Sequence, residues 1–328
     1  MIYPDSDENI KKATELLKSG EIVAIPTETV YGLAADAANE TAVSKIFEIK
    51  GRPNFNPLIS HYAQVSEIEK DVIFNERAKL IADEFWPGPI SLILPKQENS
   101  RISKLVSAGL ETAAIRMPNH PLCLKILEAF RGPIAAPSAN PSSRISPSKA
   151  IHVKNLFQDK VKFILDGGDC NCGLESTILD LSTEQTKILR YGAINAIAIS
   201  NALQGEIVLS PDDKEGIKAP GMLLKHYSPQ TKLKIDFSLE NIAADYENSA
   251  LILYSFSSIP PEKLNYLHSK FKSVFELCSN ANELEAAANL YSILHKLDDL
   301  SYEQICVEKI PKSQISKAIE DRLKRAAA

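Results

Sequence analysis

The sequence lacks any apolar stretch long enough to cross a membrane. A membrane-spanning helix needs about 20 consecutive apolar residues, and no run in this chain approaches that length. Residues 1–9 are polar and acidic, whereas a secretory signal has a basic stretch followed by an apolar one. We therefore expect a cytoplasmic protein that makes no contact with a membrane.

Cysteines are few and scattered. The chain has five of them, an odd number, and only Cys170 and Cys172 are close in sequence. A disulfide framework or a structural zinc site would need further pairs. We expect reduced structural thiols and no metal site built from protein side chains.

The sequence also lacks an excess of one charge. Its 37 Lys and Arg residues face 42 Asp and Glu residues, for a net charge of -5. General binding to nucleic acid or to anionic lipid needs a basic field, so only local basic patches remain open. The hydrophobic fraction of 44% and the charged fraction of 24% are those of a globular protein. A single core seldom extends over 328 residues, which predicts two domains.

Helix and strand patterns alternate along the first two thirds of the chain. Asp7 begins a helical pattern that ends at Gly20, a buried strand follows at 22–25, and a second helix is predicted at 40–49. Further strands are predicted at 58–60, 91–94, 113–116, 134–136, 163–165, 177–181 and 187–190, with helices at 78–85 and 122–130. Residues 1–209 are therefore predicted to form one α/β domain.

A second α/β domain is predicted behind a linker. Residues 210–231 are rich in Pro, Gly, Asp and Lys and show neither helical nor strand periodicity. In residues 232–328, strands are predicted at 250–254 and 304–307, and helices at 283–297 and 315–323. This alternation favours a small parallel sheet.

Polar loops recur at the ends of the predicted strands and helices. They are residues 26–33, Lys50-Gly51-Arg52-Pro53, residues 137–143, residues 173–177 and Arg190-Tyr191-Gly192. Taken alone, each is also typical of an ordinary turn or of a helix end stabilised by cations. Together they place Lys, Arg, Ser, Thr and Asn on five loops, where such groups bind phosphate or carboxylate oxygens.

Several catalytic signatures are absent. The sequence has no Ser-His-Asp order, no Walker A motif and no G-x-G-x-x-G. The loops therefore indicate a site that binds and positions its substrates rather than one that forms a covalent intermediate. Such a site suits phosphoryl or nucleotidyl transfer, in which orientation and neutralisation of negative charge supply most of the catalysis.

The chain resembles the YrdC-like threonylcarbamoyl-AMP synthases, in the long form with an additional C-terminal domain. The resemblance covers the whole chain, although the C-terminal domain matches by position and pattern only. It rests on the loops above and on Asn56-Pro57-Leu58, Trp86-Pro87-Gly88-Pro89, residues 114–118 with His120-Pro121, Pro220-Gly221-Met222 and residues 226–229. It implies an N-terminal YrdC-like domain with a twisted mixed sheet and helices, followed by a small Rossmann-like α/β domain.

The resemblance also implies an activity. It is that of a nucleotidyltransferase that forms threonylcarbamoyl-AMP and pyrophosphate from L-threonine, bicarbonate and ATP, for modification of tRNA next to the anticodon. Mg²⁺ would be held mainly by the phosphates. The implied partner is the downstream tRNA threonylcarbamoyl-transferase complex, and a transient contact with tRNA itself is left open.

Site residues carry over from the same resemblance. Lys50, Arg52, Ser138 and Asn140 correspond to the anion-binding and catalytic group of the family. The residues implied around ATP are these four together with Asn56, Thr112, Ser146, Arg190 and Tyr227. Those implied around threonine are Thr29, His61, Arg116, Ala136 and Ser176.

Two other functions remain as alternatives. A non-catalytic protein with a YrdC-like fold could bind double-stranded RNA or tRNA in a concave basic site, although the complete set of ATP-site motifs argues against it. A carbamoyl-transfer domain of the hydrogenase-maturation type would be embedded in a much longer chain with zinc-finger and acylphosphatase segments, which this sequence does not contain.

Overall fold

A computed structural model of the chain describes residues 1–210, 219–221, 226–240, 242, 246–313 and 315–328. The chain divides into two compact units. Unit 1 consists of Met1–Ser142, Ser146–Asn171 and Glu175–Leu223, and unit 2 of Ser143–Ile145, Cys172–Leu174 and Leu224–Ala328. Much of the predicted linker, residues 211–218 and 222–225, lies outside the described residues, so the predicted domain limits stay a prediction. No helix of the described residues has both the length and the apolar character to cross a membrane.

Unit 1 contains a mixed sheet with helices between its strands. Its strands are β1 (Ile2–Pro4), β2 (Val23–Ile25), β3 (Gly32–Asp36), β4 (Ile59–His61), β5 (Ile90–Pro95), β6 (Thr112–Arg116), β7 (Ile134–Ala135), β8 (Ile164–Asp166), β9 (Thr177–Asp180), β10 (Thr186–Arg190) and β11 (Val208–Leu209). Its helices are α1 (Asp7–Lys18), α2 (Glu40–Lys50), α3 (Val65–Ile68), α4 (Glu76–Phe85), α5 (Pro121–Phe130), α6 (Ala150–Phe157) and α7 (Ala196–Ala202).

The strand order is β1-β8-β2-β3-β7-β4-β6-β5-β9-β10-β11. At its centre β4 pairs in parallel with β6, so that His61 lies beside Arg116, and antiparallel with β7, so that Ser60 lies beside Ala135. Strand β5 joins β6 antiparallel and β9 in parallel. Loops that are far apart in the sequence are therefore neighbours at the ends of these central strands.

Helices α1, α2, α4 and α7 begin after a residue whose side chain caps the first turn. The Ser6 side chain accepts a hydrogen bond from the amide of Asn9 at the start of α1, and Asn39 does the same for Ala42 at the start of α2. Helix α2 buries Val43, Ile46 and Phe47 in the largest core cluster of the unit. Burial of this apolar face, at about 25 cal/mol per Å², fixes the helix against the sheet.

Unit 2 contains a smaller sheet whose strand pairs are all parallel. Its strands are β12 (Lys232–Phe237), β13 (Tyr246–Leu253), β14 (Phe271–Glu276) and β15 (Gln304–Glu308), in the order β12-β15-β13-β14. Its helices are α8 (Pro261–Lys270), α9 (Glu283–Asp299) and α10 (Ser316–Ala327). Leu251, Leu253 and Cys306 lie in its core. The predicted α/β fold class with a small parallel C-terminal sheet is thus confirmed.

Several elements were not predicted from the sequence. Strand β3 begins at Gly32, inside the stretch 26–33 that we expected to be only a polar loop. Elements α6, α8, β12 and β14 were also missed. Strand β3 begins with Gly-Leu-Ala-Ala, residues with little strand preference. Pairing with β2 on one side and β7 on the other outweighs that local preference.

Candidate active site

The end of α2 fixes two cations on one turn. Lys50 is the last residue of the helix, and Gly51 follows in the left-handed conformation with φ +58°. Glycine adopts this conformation without steric cost, which makes it the usual residue after a helix end. The amides of Gly51 and Arg52 donate to the carbonyl oxygens of Glu48 and Phe47, and these two bonds close the turn that carries Lys50 and Arg52.

Lys50 is buried and points at the loop after β7. Its Nζ donates to the carbonyl oxygens of Ser138 and Asn140, at 2.6 and 2.5 Å, and its residue is only 3% exposed. Burial, and then the positive charge of Arg52, hold the pKa of Lys50 well below its ordinary value, while Glu175 acts in the opposite direction. An anion bound here would favour the charged form of the lysine.

Arg52 organises the loop that precedes β4. Its Nε donates to the carbonyl oxygen of Asn56, and its Nη2 donates to Asn56 Oδ1 at 2.7 Å and to the carbonyl oxygen of Pro57 at 2.8 Å. Thr112 begins β6 two residues before Ala114, the partner of Ile59 in β4. Because β4 and β6 are parallel, Thr112 lies toward the end of the pair at which β4 begins, and Arg52 contacts that end through Pro57.

A second polar group lies at the opposite end of β4 and β6. The guanidinium of Arg116 donates through Nη1 to Thr29 Oγ1 at 2.9 Å and through Nε to the carbonyl oxygen of Gly88 at 3.2 Å. Its Nη2 is 2.7 Å from Glu28 Oε1. Four residues separate Thr112 from Arg116, about 13 Å at the rise of a β-strand. The predicted ATP and threonine residues on β6 are therefore at opposite ends of one strand.

His61 belongs to the second group. It is 3% exposed and lies beside Arg116 in the β4–β6 register. Burial, and then the charge of Arg116, lower its pKa to about 3. The imidazole is therefore neutral at neutral pH and can act as a hydrogen-bonding group but not as a cation.

Ala136 lies between the two groups. Ala136 is the residue that follows β7, and its amide donates to the carbonyl oxygen of Ile59. Two residues later, Ser138 forms a bridge with Gly32. This short stretch therefore leads from the start of β4 to the carbonyl oxygens that hold Lys50.

The loop before β9 connects further predicted residues. Arg190 donates through Nη2 to Ser176 Oγ at 3.1 Å and through Nε to the Ser176 carbonyl oxygen at 3.0 Å, and Ser176 Oγ is 2.7 Å from Ser91 Oγ. Ser146 donates to Glu175 Oε1 at 2.5 Å. The predicted ATP residue Arg190 and the predicted threonine residue Ser176 thus touch directly.

Tyr227 belongs to unit 2. It is 1% exposed, its ring is 5.8 Å from that of Tyr291, and the guanidinium of Arg322 lies 5.2 Å from its centre. Its backbone has φ +65°, which is uncommon for a residue with a side chain. Its predicted contact with the nucleotide stays a prediction.

Two buried carboxylates lie within the polar loops at residues 26–33 and 173–177, and the sequence analysis assigns them no role. Glu28 is 7% exposed and pairs with Arg116, and Glu175 is 6% exposed and binds Ser146. A glutamate in a polar loop is most often solvated, so the sequence carries no direct signal for their burial. The nearest signal was their position within two motifs of the resemblance.

The chemistry open to this arrangement follows from its charges. Arg52 and the charged form of Lys50 lie in a poorly solvated environment, where they interact strongly with phosphate oxygens. Arg116 with Thr29 and Ser176 offers hydrogen-bond donors that suit a carboxylate. The described residues contain no group of three His, Cys, Asp or Glu side chains that could hold a metal ion.

The chain is similar to known proteins over almost its whole length. A family model described as Telomere recombination matches residues 15–192, and one described as Threonylcarbamoyl-AMP synthase, C-terminal domain, matches residues 190–328. The chain is 38% identical over 335 residues to the threonylcarbamoyl-AMP synthase of Bacillus subtilis, across 98% of this chain and 94% of that protein. It is 35% identical to the threonylcarbamoyl-AMP synthase of Pyrococcus abyssi, across 97% and 94%.

A solved structure agrees over the full length. The crystal structure of P. abyssi Sua5 complexed with L-threonine superposes with a TM-score of 0.84 at 34% identity, and the match covers 100% of this chain and 97% of that one. The chain therefore belongs to the threonylcarbamoyl-AMP synthase family of nucleotidyltransferases, with a YrdC-like domain followed by the C-terminal domain of the family.

Proposed function

We propose that unit 1 binds ATP at the Lys50 and Arg52 end of β4 and L-threonine at the His61 and Arg116 end. One observation carries this proposal: a single pair of strands, β4 and β6, places two different polar groups at its two ends. The first group contains the buried amine of Lys50 and the buried guanidinium of Arg52, which suit phosphates. The second contains a guanidinium and hydroxyl groups that suit an amino-acid carboxylate and side chain.

The reaction joins three substrates. The threonine nitrogen forms a bond to the carbon of bicarbonate, with loss of water and a proton, and the resulting carbamate oxygen attacks the α-phosphorus of ATP. The bond from that phosphorus to the pyrophosphate oxygen breaks, and threonylcarbamoyl-AMP and pyrophosphate are the products. Negative charge accumulates on the departing pyrophosphate, where Lys50 and Arg52 would stabilise it.

Ser138, Asn140 and Ser146 complete the proposed ATP end. The carbonyl oxygens of Ser138 and Asn140 hold Lys50 in place, and Ser146 is held by Glu175. Asn56, Thr112, Arg190 and Tyr227 remain proposed nucleotide contacts. Mg²⁺ would be bound mainly by the phosphates of ATP. The ion usually keeps several of its waters in such sites.

The product implies a partner and a location. Threonylcarbamoyl-AMP is a mixed anhydride that water hydrolyses, so an enzyme that transfers the threonylcarbamoyl group to tRNA must accept it soon after release. We propose the tRNA threonylcarbamoyl-transferase complex as that downstream partner, and the cytoplasm as the place of the reaction.

The test is a complete reaction with matched omissions. Protein is incubated with ATP, Mg²⁺, labelled bicarbonate and threonine, and both pyrophosphate and the labelled adenylate are measured. We expect equal amounts of the two products, and neither product when threonine is omitted. An Arg52→Ala preparation serves as the inactive comparison. Pyrophosphate release that does not depend on threonine would refute the proposal.

A further inference from the structure

Glu28 presents a buried carboxylate that the predicted site leaves without a role. Its side chain is 8% exposed and its Oε1 lies 2.7 Å from Arg116 Nη2. Within the described residues, neither carboxylate oxygen of Glu28 accepts a hydrogen bond. The contact with Arg116 is therefore electrostatic, and the hydration that both oxygens lose on burial is not replaced by donors from the protein.

The charge of Glu28 also acts on its surroundings. Burial lowers the pKa of His120, and the charge of Glu28 acts in the opposite direction. Burial, and then the charge of Glu28, raise the pKa of Cys123 to about 12. Among the described residues, Arg116 is the group that forms an ion pair with Glu28.

Arg116 is itself held from two further sides. Thr29 accepts from Nη1 and the carbonyl oxygen of Gly88 accepts from Nε. A guanidinium carries five N–H groups, so Arg116 keeps donors on Nη1 and Nη2 for a ligand. Glu28 and Thr29 are consecutive in the chain, and one turn therefore fixes both the guanidinium and a carboxylate beside it.

We propose that Glu28 binds the α-ammonium group of the amino-acid substrate while Arg116 binds its carboxylate. This rests on the proposed threonine site. An α-amino acid carries both charges on groups attached to one carbon, and Glu28 with Arg116 presents the two opposite charges 2.7 Å apart. A zwitterion on a neutral ion pair adds no net charge to the buried site, which limits the cost of desolvation. Glu28 thus selects amino acids over carboxylic acids that lack the amino group.

The experiment compares two ligands on the full-length chain. L-Threonine and 3-hydroxybutyrate, which is threonine without its amino group, are titrated calorimetrically against wild type and Glu28→Gln, with competitive displacement for the weaker ligand. The measured quantity is the Kd of 3-hydroxybutyrate divided by that of threonine. We expect Glu28→Gln to lower this ratio about ten- to hundred-fold, the range for a hydrogen bond between charged groups. Glu21→Gln changes an exposed carboxylate and should leave the ratio unchanged.

The outcomes separate the inference from the proposed function. If wild type does not bind threonine, the proposed function fails. If wild type binds threonine but Glu28→Gln weakens both ligands equally, Glu28 only positions Arg116 and the inference is overturned. If Glu28→Gln does not fold, the same ratio of Kd values is compared between wild type and Glu28→Asp. A wild-type ratio near one overturns the inference, as does an unchanged ratio in Glu28→Asp, whereas a lower ratio in that shorter side chain supports it.

Discussion

Acidification should destabilise unit 1 through His61. Its pKa is about 3 in the folded chain, against an ordinary value near 6.5. Because the folded pKa is depressed, the unfolded chain takes up a proton between these values and the folded chain does not. The contribution is fully present above pH 6.5 and is lost as the pH falls toward 3. Each pH unit in that range costs about 1.4 kcal/mol, so the loss is about 2 kcal/mol at pH 5 and about 4 kcal/mol at pH 3.

The substitution His61→Gln removes this titration. Urea unfolding at pH 7.5 and pH 5 can be followed by the fluorescence of Trp86, the one tryptophan of the chain, whose Nε1 donates to the carbonyl oxygen of Ile90 in unit 1. Between these pH values the free energy of unfolding should fall by about 2 kcal/mol less in His61→Gln than in wild type. His268→Gln, at an exposed position on α8, should behave as wild type.

An equal loss of unfolding free energy in wild type and His61→Gln would refute this prediction. If wild type and His61→Gln lose the same free energy of unfolding between pH 7.5 and pH 5, His61 takes up its proton in the folded chain as well. The imidazole would then be a cation beside Arg116 at mildly acidic pH, and its proposed role as a neutral hydrogen-bonding group near threonine would have to be abandoned.

The remaining predictions concern the loops and the specificity. Arg52→Lys should lower kcat/KM for ATP by about tenfold or more, since an ammonium cannot reproduce the three bonds to Asn56 and Pro57; steady-state pyrophosphate release measures this. Gly192→Ala should lower the Tm, because a Cβ there would lie 2.3 Å from the backbone nitrogen of Thr177. Serine should be used less well than threonine by a modest factor, since one methyl group is worth about 1–3 kcal/mol; equal kcat/KM would argue against a fitted pocket. Residues 210–231 should be cut by protease more slowly with ATP and threonine present, and Tyr227→Ala should weaken ATP binding; unchanged cleavage would mean that the segment does not respond to ligands.

Local features of the sequence were enough to place the turn that carries the cations. Asn39 and Gly51 are cap residues that delimit α2, and the helix keeps its apolar face toward the core. The alternation of helices and strands likewise predicted the α/β class of both units. These signals are legible because they depend on residues within one or two helical turns of each other.

Only the tertiary structure decided which polar groups share a site. Arg116 is 88 residues from Glu28 and 55 from His61 in numbering, and it meets them because β4 and β6 pair in parallel and the turn after β2 reaches the same end. The periodicity within a segment does not predict which strand it pairs with. The burial of Glu28 and the low pKa of His61 arise from those long-range pairings, which remove both groups from water. The sequence alone therefore determined which loops are polar, but not which of their charged groups are buried together.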